Sequence, residues 1–130
     1  MARILVIDDD PDMAQLVKDM LKSTGHEIIL AGNGAEGVRQ SREAHPDLVI
    51  TDIYMPREDG LETILELRRK FPRLAIMAMS GRDHAEVMLS VAKKLGAMAI
   101  LQKPFETERL IELVCKARGN SSVIAQDASG

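Results

Sequence analysis

The feature that most constrains this chain is a short, uninterrupted apolar run at residues 48–50 that leads into Asp52. Three consecutive apolar residues are too few for a helix of normal length. An unbroken run of this kind is typical of a strand buried on both faces of a parallel sheet. Pro56 and Gly60 break the chain just beyond it. Ligands of open α/β sheets bind at the carboxyl ends of the strands, which is where this pattern places Asp52.

Four other apolar runs, each short enough for a strand, alternate with helical patterns along the chain. The additional predicted strands are residues 4–7, 28–31, 74–79 and 97–101. Between strands, apolar residues recur at helical spacing, as in Met13, Leu16 and Val17 of the first helix. Strand and helix alternate five times, which predicts an α/β fold with a parallel sheet and helices on both faces.

Local signals predict where two of the helices begin. Asp10 can cap the first helix with Pro11 in its first turn, and Gly25 is expected to end it. Asn33 with Glu36 resembles a capping box at the start of the second helix.

The composition is that of one soluble globular domain. A chain of 130 residues with 45% apolar residues can bury a single core. A net charge of −3 gives no reason to expect a nucleic-acid or membrane partner, and no apolar run is long enough to cross a bilayer. The lone Cys115, expected to be buried or half-buried, excludes an internal disulfide and favours a cytoplasmic location. Residues 119–130 lack periodicity, which predicts a flexible tail or the start of a linker.

Polar residues follow four of the predicted strands. They are Asp8 and Asp9 after the first strand, Asp52 after the third, Ser80 after the fourth and Lys103 after the fifth. A parallel sheet brings all these strand ends to one edge, where three carboxylates repel one another unless a cation neutralises them. Oxygen ligands without His or Cys indicate a hard ion, and Mg²⁺ suits a site that keeps room for water and phosphate. The hydroxyl of Ser80 and the ammonium of Lys103 suit the anionic oxygens of a phosphoryl group. An aspartate that faces a metal ion, a lysine and a hydroxyl, as Asp52 would, is equipped to attack that group and become an acyl phosphate.

Four motifs carry a resemblance to a known family. They are I-L-V-I-D-D-D-P, D-L-V-I-T-D-I-Y-M-P-R-E-D-G, A-M-S-G and Q-K-P-F. Their order and their placement at strand ends resemble the response-regulator receiver domain of two-component signalling, over residues 2–118. The resemblance implies a flavodoxin-like sheet of order 2-1-3-4-5. It also implies phosphorylation of Asp52 by a histidine kinase or a histidine phosphotransfer protein, and no enzymatic activity beyond the chain's own phosphorylation and dephosphorylation.

The same resemblance implies roles for individual residues. The implied Mg²⁺ ligands are Asp9, Asp52 and the Tyr54 carbonyl, with Asp8 acting through a water. The implied phosphate-binding groups are Ser80, the N–H of Gly81 and Lys103. The family often has a cis peptide bond before the proline that follows this lysine, here Lys103-Pro104.

The fifth strand departs from the family pattern in a way that bears on output. The family commonly carries an aromatic three residues before the lysine, where this chain has Ile100, and that aromatic swings inward when the hydroxyl residue moves. Because Ile is stiff at χ1, we expect the signal to displace the loop at 80–85 and the fourth helix. The partner face would comprise the fourth helix, fifth strand and fifth helix, with Leu89 as an exposed contact. The alternative is that Ile100 is plain core and Leu89 an ordinary surface leucine.

A glycine motif offers a rival interpretation. Residues 32–37 match G-x-G-x-x-G, the pattern of dinucleotide-binding loops. That fingerprint belongs to the first βα turn of a longer fold, whereas here it follows the second strand. A capped helix start explains the glycines more simply.

Two further alternatives keep the acidic site but change its use. Asp8-x-Asp10 suggests an aspartyl-phosphate phosphatase of the haloacid-dehalogenase type. That family usually has Thr or Val four residues after its nucleophile, where this chain has Asp12, and a longer catalytic domain. The other alternative is a receiver-like interaction module that is not phosphorylated, against which the complete set of acidic, hydroxyl and lysine residues argues.

Overall fold

A five-stranded parallel sheet forms the centre of the computed structural model, which describes residues 2–55, 58–81 and 85–117. The strands are β1 (Arg3–Ile7), β2 (Glu27–Ala31), β3 (Leu48–Asp52), β4 (Ala75–Ser80) and β5 (Ala99–Gln102). Their order in the sheet is β2-β1-β3-β4-β5, with every neighbouring pair parallel. The predicted flavodoxin-like order 2-1-3-4-5 is therefore confirmed.

In the part of the chain that the structure describes, five helices connect or follow the strands. They are α1 (Pro11–Met20), α2 (Gly34–Ala44), α3 (Gly60–Lys70), α4 (Ala85–Leu95) and α5 (107–117). A 3₁₀ turn at Lys22–Thr24 follows α1, and Gly25 in the left-handed conformation ends that segment. Before α3, the two-residue strands Tyr54–Met55 and Glu58–Asp59 pair antiparallel.

Both predicted helix caps are confirmed. The Asp10 carboxylate accepts hydrogen bonds from the backbone N–H groups of Asp12 and Met13, at 3.0 and 3.4 Å. Asn33 Oδ1 accepts from the N–H of Glu36 at 2.7 Å. The carboxylate of Glu36 bonds the N–H of Gly32 rather than that of Asn33, so the second half of the capping box is displaced by one residue.

The sheet is buried on both faces because alternate strand residues supply two separate cores. One core joins Ile4, Val6 and Ile50 to apolar residues of α1 and α5. The other joins Leu5 and Val49 to apolar residues of α2, α3 and α4. Every residue of β3 is buried, which explains its unbroken apolar sequence. The helices therefore cover both faces, as predicted.

Three side chains are more exposed than a simple apolar pattern suggests, and the expectation that Cys115 is buried or half-buried is wrong. Leu16 is 46% exposed because the buried row of α1 is Ala14 and Val17, one position away. Cys115 is exposed because α5 buries the row of Leu110, Leu113, Val114 and Ala117, which excludes it. Ile100 is 39% exposed, so the alternative that it is plain core is incorrect. It lies on β5, an edge strand of the sheet.

Several predictions fall outside the described residues or are not tested by the fold. The tail at 119–130, residues 82–84 of the loop at 80–85, and the side chains of Tyr54 and Leu89 are outside them. The domain limits of 2–118 stay a prediction. None of the helices described here has the length and apolar character needed to span a membrane.

Candidate functional site

The polar residues that follow the strands meet at one edge of the sheet. Asp8 comes directly after β1, Asp52 and Ser80 are the last residues of β3 and β4, and Lys103 comes directly after β5. Carboxylate oxygens of Asp8, Asp9 and Asp52 all lie within 4.8 Å of one another. Asp8 and Asp52 are buried, whereas Asp9 is exposed. The structure therefore contains a compact acidic cluster of the kind that the strand ends predicted.

Lys103 connects the two buried carboxylates. Its Nζ lies 3.1 Å from Oδ2 of Asp52 and 3.4 Å from Oδ2 of Asp8. Its backbone N–H donates to the carbonyl of Ser80 at 2.8 Å, which fixes the start of the lysine side chain. A buried carboxylate pair would be costly without such a cation. The peptide bond between Lys103 and Pro104 is cis, as the resemblance implied.

Asp8 is held in an environment that favours its neutral form. Its side chain is fully buried, and Oδ1 accepts a hydrogen bond from the N–H of Asp10 at 2.9 Å. Burial raises the pKa of the Asp8 carboxyl from 3.8 to about 6, and the nearby Asp52 contributes in the same direction. The Asp10 N–H and Lys103 oppose this rise. Asp8 is thus a carboxyl whose charge depends on its neighbours.

Asp10 serves the helix rather than the acidic cluster. Its carboxylate accepts from two N–H groups of the first turn of α1, and the metal-compatible cluster among the described residues does not include it. The Asp8-x-Asp10 pattern that suggested a phosphatase of the haloacid-dehalogenase type is therefore explained by capping.

A hydroxyl and a glycine complete the site opposite the carboxylates. Ser80 is buried, and its Oγ has no hydrogen-bond partner among the residues described. A buried polar atom without a partner is costly and points to a ligand. A Cβ on Gly81 would lie 2.7 Å from the Cβ of Lys103, so glycine is what lets the ends of β4 and β5 approach.

The donor set fits a divalent cation such as Mg²⁺. Three carboxylates within reach of one another supply oxygen ligands alone, which suits a hard ion. Tyr54 begins a short strand two residues after Asp52. Its role as a carbonyl ligand stays a prediction, as do the specific roles of the other site residues.

Sequence reasoning missed a groove beside the site. It has a volume of about 620 Å³; its polar end is lined by Asp9, Asp52, Gly81 and Lys103, and its apolar end by Met13, Leu16, Met20 and Phe105. The signal for it was present in α1, since Met13, Leu16 and Met20 form a row at i, i+3 and i+7 beside the buried row of Ala14 and Val17. The groove places an apolar wall directly next to the acidic cluster.

A second groove lies along β5 and α5. It has a volume of about 540 Å³, and its lining includes Ile100, Gln102, Phe105 and Arg109. The exposed Ile100 thus belongs to a surface concavity on the face that the sequence associated with output.

Comparison with known proteins agrees with the geometry. The family of response regulator receiver domains matches residues 4–115. Chemotaxis protein CheY of Listeria monocytogenes serovar 1/2a is 33% identical over 118 residues, which are 90% of this chain and 98% of that protein. The probable C4-dicarboxylate response regulator DctR of Bacillus subtilis (strain 168) is 34% identical over 110 residues, 83% of this chain and 48% of DctR. The chain thus spans nearly all of CheY but about half of DctR.

Solved structures give the same result. NtrX from Brucella abortus superposes with a TM-score of 0.90 at 32% identity, covering 98% of this chain and 29% of that chain. Chemotaxis protein CheY4 of Vibrio cholerae superposes with a TM-score of 0.81 at 28% identity, covering 90% of this chain and 98% of that chain. Sequence motifs, sheet order, the acidic strand ends and these relatives agree: the chain belongs to the family of response regulator receiver domains.

Proposed function

We propose that this chain receives a phosphoryl group on Asp52 from a histidine kinase or a histidine phosphotransfer protein. The observation that carries the proposal is the position of Lys103, whose ammonium lies 3.1 Å from Asp52 where both residues line a groove. The unpaired Ser80 hydroxyl at the neighbouring strand end adds support. Phosphoacceptor signalling is the function of the family to which the chain belongs.

In the proposed reaction, a carboxylate oxygen of Asp52 attacks the phosphorus of a phosphohistidine. The P–N bond breaks, the imidazole keeps its electron pair as the leaving group, and Asp52 becomes an acyl phosphate. Lys103 pairs with a phosphoryl oxygen, while Ser80 Oγ and the N–H of Gly81 donate to the others. Hydrolysis of the acyl phosphate restores the carboxylate. The chain therefore acts on its own phosphoryl group and turns over no separate substrate.

The carboxylates of the cluster have a second role as a cation site. Asp9, Asp52 and the carbonyl of Tyr54 would hold Mg²⁺, with Asp8 acting through a water. When bound, the ion supplies positive charge that offsets the charge on the transferring phosphoryl group. Asp9→Ala should weaken Mg²⁺ binding at least 10-fold, on the order of the loss of one ligand. Unchanged affinity in a calorimetric titration would exclude Asp9 as a direct ligand.

The output proposal concerns the face formed by α4, β5 and α5. A phosphoryl group adds charge and strong acceptors at the strand ends, so Ser80 and Lys103 move toward Asp52. Because Ile100 is exposed and stiff at χ1, displacement of the segment at 80–85 and of α4 carries the signal. Backbone amide shifts with and without beryllofluoride test this route. Changes confined to the surroundings of Asp52, with α4 silent, would contradict it.

Intact mass measurement tests the acceptor assignment. The protein is incubated with Mg²⁺ and acetyl phosphate, and the mass gain of one phosphoryl group should disappear after mild alkaline treatment. Asp52→Asn should abolish the gain. Asp47→Asn is the matched control, because Asp47 is an exposed carboxylate just before the opposite end of β3 that bonds the N–H of Arg3. Undiminished labelling of Asp52→Asn would overturn the proposal.

A further inference from the structure

The glycine that begins α3 lies against the backbone that carries Asp52. Gly60 is buried, and an ideal Cβ built on it would lie 2.4 Å from the Cα of Ile53 and 2.7 Å from the carbonyl oxygen of Asp52. Carbon atoms make favourable contact at about 3.5–4.0 Å. No side chain fits between the start of α3 and the end of β3.

The requirement at Gly60 is for space and not for an unusual backbone angle. Its φ lies outside the positive range that favours glycine, in contrast to Gly96, whose φ is 123°. The atoms that a Cβ would meet are backbone atoms, which cannot rotate out of the way. A Cβ on Gly37, by comparison, would meet only the side chain of Ile7 among its nearest atoms.

The surrounding chain holds this contact from both sides. Residues 54–55 and 58–59 pair antiparallel, with Tyr54 opposite Asp59, and this pairing returns the chain so that α3 starts beside Ile53. On the other side, the N–H of Ile53 donates to the carbonyl of Met79 in β4 at 3.1 Å. The backbone that follows Asp52 is therefore clamped between β4 and the first residue of α3.

We infer that Gly60 is a positioning residue for phosphoryl transfer, because its contact with the Asp52–Ile53 backbone fixes the acceptor carboxylate relative to Lys103. This inference rests on the proposed role of Asp52. Restoring ordinary contact around a methyl group would move the two backbones apart by about 1 Å. A misplacement of about 1 Å at a reacting group can lower a rate about 100-fold.

The test compares Gly60→Ala with Gly96→Ala. Gly96 precedes β5 and so lies at the amino ends of the strands, away from the acidic cluster. Phosphorylation is followed by intact mass at saturating Mg²⁺ with increasing acetyl phosphate. Gly60→Ala should lower the maximal rate constant about 10- to 100-fold. The half-saturating acetyl phosphate concentration should change less than about 2-fold, because Ser80, Gly81 and Lys103 contact the donor's phosphoryl group. Gly96→Ala should leave both quantities at the wild-type value.

A second readout needs neither metal nor phosphodonor. Hydrogen exchange of the Ile53 amide in metal-free protein reports directly on the clamped backbone. Gly60→Ala should lower its protection at least about 10-fold beyond the change in global stability. Gly96→Ala should lower it only in proportion to global stability. If Gly60→Ala is largely unfolded, all proteins are measured in about 1 M trimethylamine oxide, which favours the folded state.

The outcomes separate this inference from the proposed function. If wild-type protein is phosphorylated on Asp52 while Gly60→Ala matches Gly96→Ala in rate and in Ile53 protection, Gly60 is merely structural and the inference is wrong. If Asp52→Asn is labelled as well as the wild type, the proposed function fails and the inference fails with it.

Discussion

Lys103 and Asp52 form an ion pair across the ends of two strands that are not neighbours in the sheet, with 3.1 Å between Nζ and Oδ2. The same ammonium lies 3.4 Å from Asp8, so Lys103 contacts both buried carboxylates. In metal-free protein this lysine brings positive charge to the acidic cluster. Lys103 therefore bears both on the stability of the domain and on the proposed phosphoryl chemistry.

Lys103→Met should destabilise the metal-free protein at neutral pH. The substitution leaves two buried carboxylates without their cation, and we expect the free energy of unfolding to fall by about 2–4 kcal/mol. Mg²⁺ should then raise the melting temperature more in Lys103→Met than in the wild type, because it replaces the missing charge. Thermal melts with and without Mg²⁺ measure both effects.

Lys116→Met provides the control for charge removal. Lys116 is exposed and pairs with Glu112 on α5, so its loss should change stability by less than about 0.5 kcal/mol. Equal destabilisation by the two substitutions would show that the site lysine has no special role in holding the acidic cluster together.

The raised pKa of Asp8 predicts a dependence of stability on pH. The folded-state pKa is about 6 against an ordinary 3.8, so folded protein binds a proton more readily than unfolded protein. The resulting stabilisation, up to about 3 kcal/mol, is fully present below the ordinary pKa and is lost as the pH rises through about 6. Metal-free wild type should therefore gain stability relative to Asp8→Asn as the pH falls from about 8 to about 5.

Denaturant unfolding of both proteins in the presence of a chelator measures this difference. Asp8→Asn should be the more stable protein at the alkaline end, with an advantage that shrinks toward acid pH. A constant difference between the two proteins across this range would show that Asp8 does not titrate there. Mg²⁺ binding should weaken over the same range, because protonation of Asp8 removes a charge from the cation site.

The parallel sheet and the acidic cluster were predictable because each depends on short-range sequence pattern, whereas the strand order 2-1-3-4-5 came from the family resemblance. A buried strand needs consecutive apolar residues, and a parallel sheet brings its carboxyl ends together whatever the detailed packing. Asp8, Asp52 and Lys103 could thus be placed at one edge from the sequence. The caps at Asp10 and Asn33 were predictable for the same reason, since a cap is satisfied by N–H groups two or three residues away.

Features that depend on contact between distant elements were not predictable. Cys115 and Leu16 lie on helices that carry more apolar residues than the sheet can cover. The spacing of apolar residues in the sequence does not show which of them face the sheet. Ile100 is exposed because β5 is an edge strand, a property of the assembled sheet. The need for glycine at Gly60 arises from the backbone of Ile53, which only the folded structure brings into contact.

Gly96 and Arg68 should govern the stability of the turn between α4 and β5. Gly96 has a φ of 123°, and a Cβ there would lie 2.7 Å from Nε of Arg68, so Gly96→Ala should cost about 1–3 kcal/mol. Arg68 donates to the carbonyls of Pro72 and Gly96 at 2.7 and 2.8 Å. Losing these bonds in Arg68→Met should cost about 1–3 kcal/mol.

Arg69→Met is the matched control for Arg68→Met, because Arg69 is the exposed neighbour on the same helix. It should change the free energy of unfolding by less than about 0.5 kcal/mol in denaturant titrations. If the two arginine variants unfold at the same denaturant concentration, the bonds to the two carbonyls contribute nothing measurable.

The apolar wall of the groove predicts a separation between protein and small-molecule phosphodonors. Leu16 is 46% exposed beside the cluster, with Met13, Met20 and Phe105 along the same groove. A donor protein that brings its histidine to Asp52 has to cover this wall, whereas acetyl phosphate does not. Leu16→Gln should therefore slow phosphotransfer from a phosphohistidine protein about 10-fold or more while leaving acetyl phosphate labelling unchanged.

Leu65→Gln is the control, because Leu65 is also an exposed leucine, 39% accessible, but lies on α3. Any purified phosphohistidine protein that labels the wild type serves as donor, and single-turnover transfer to each variant gives the rates. Both substitutions remove a leucine from a helix surface, so their effects on stability should be similar and small. Equal transfer rates for Leu16→Gln and Leu65→Gln would show that donor proteins reach Asp52 without burying α1. A loss specific to Leu16→Gln, together with normal acetyl phosphate labelling, would place donor recognition on the wall of the groove and the chemistry at its acidic end.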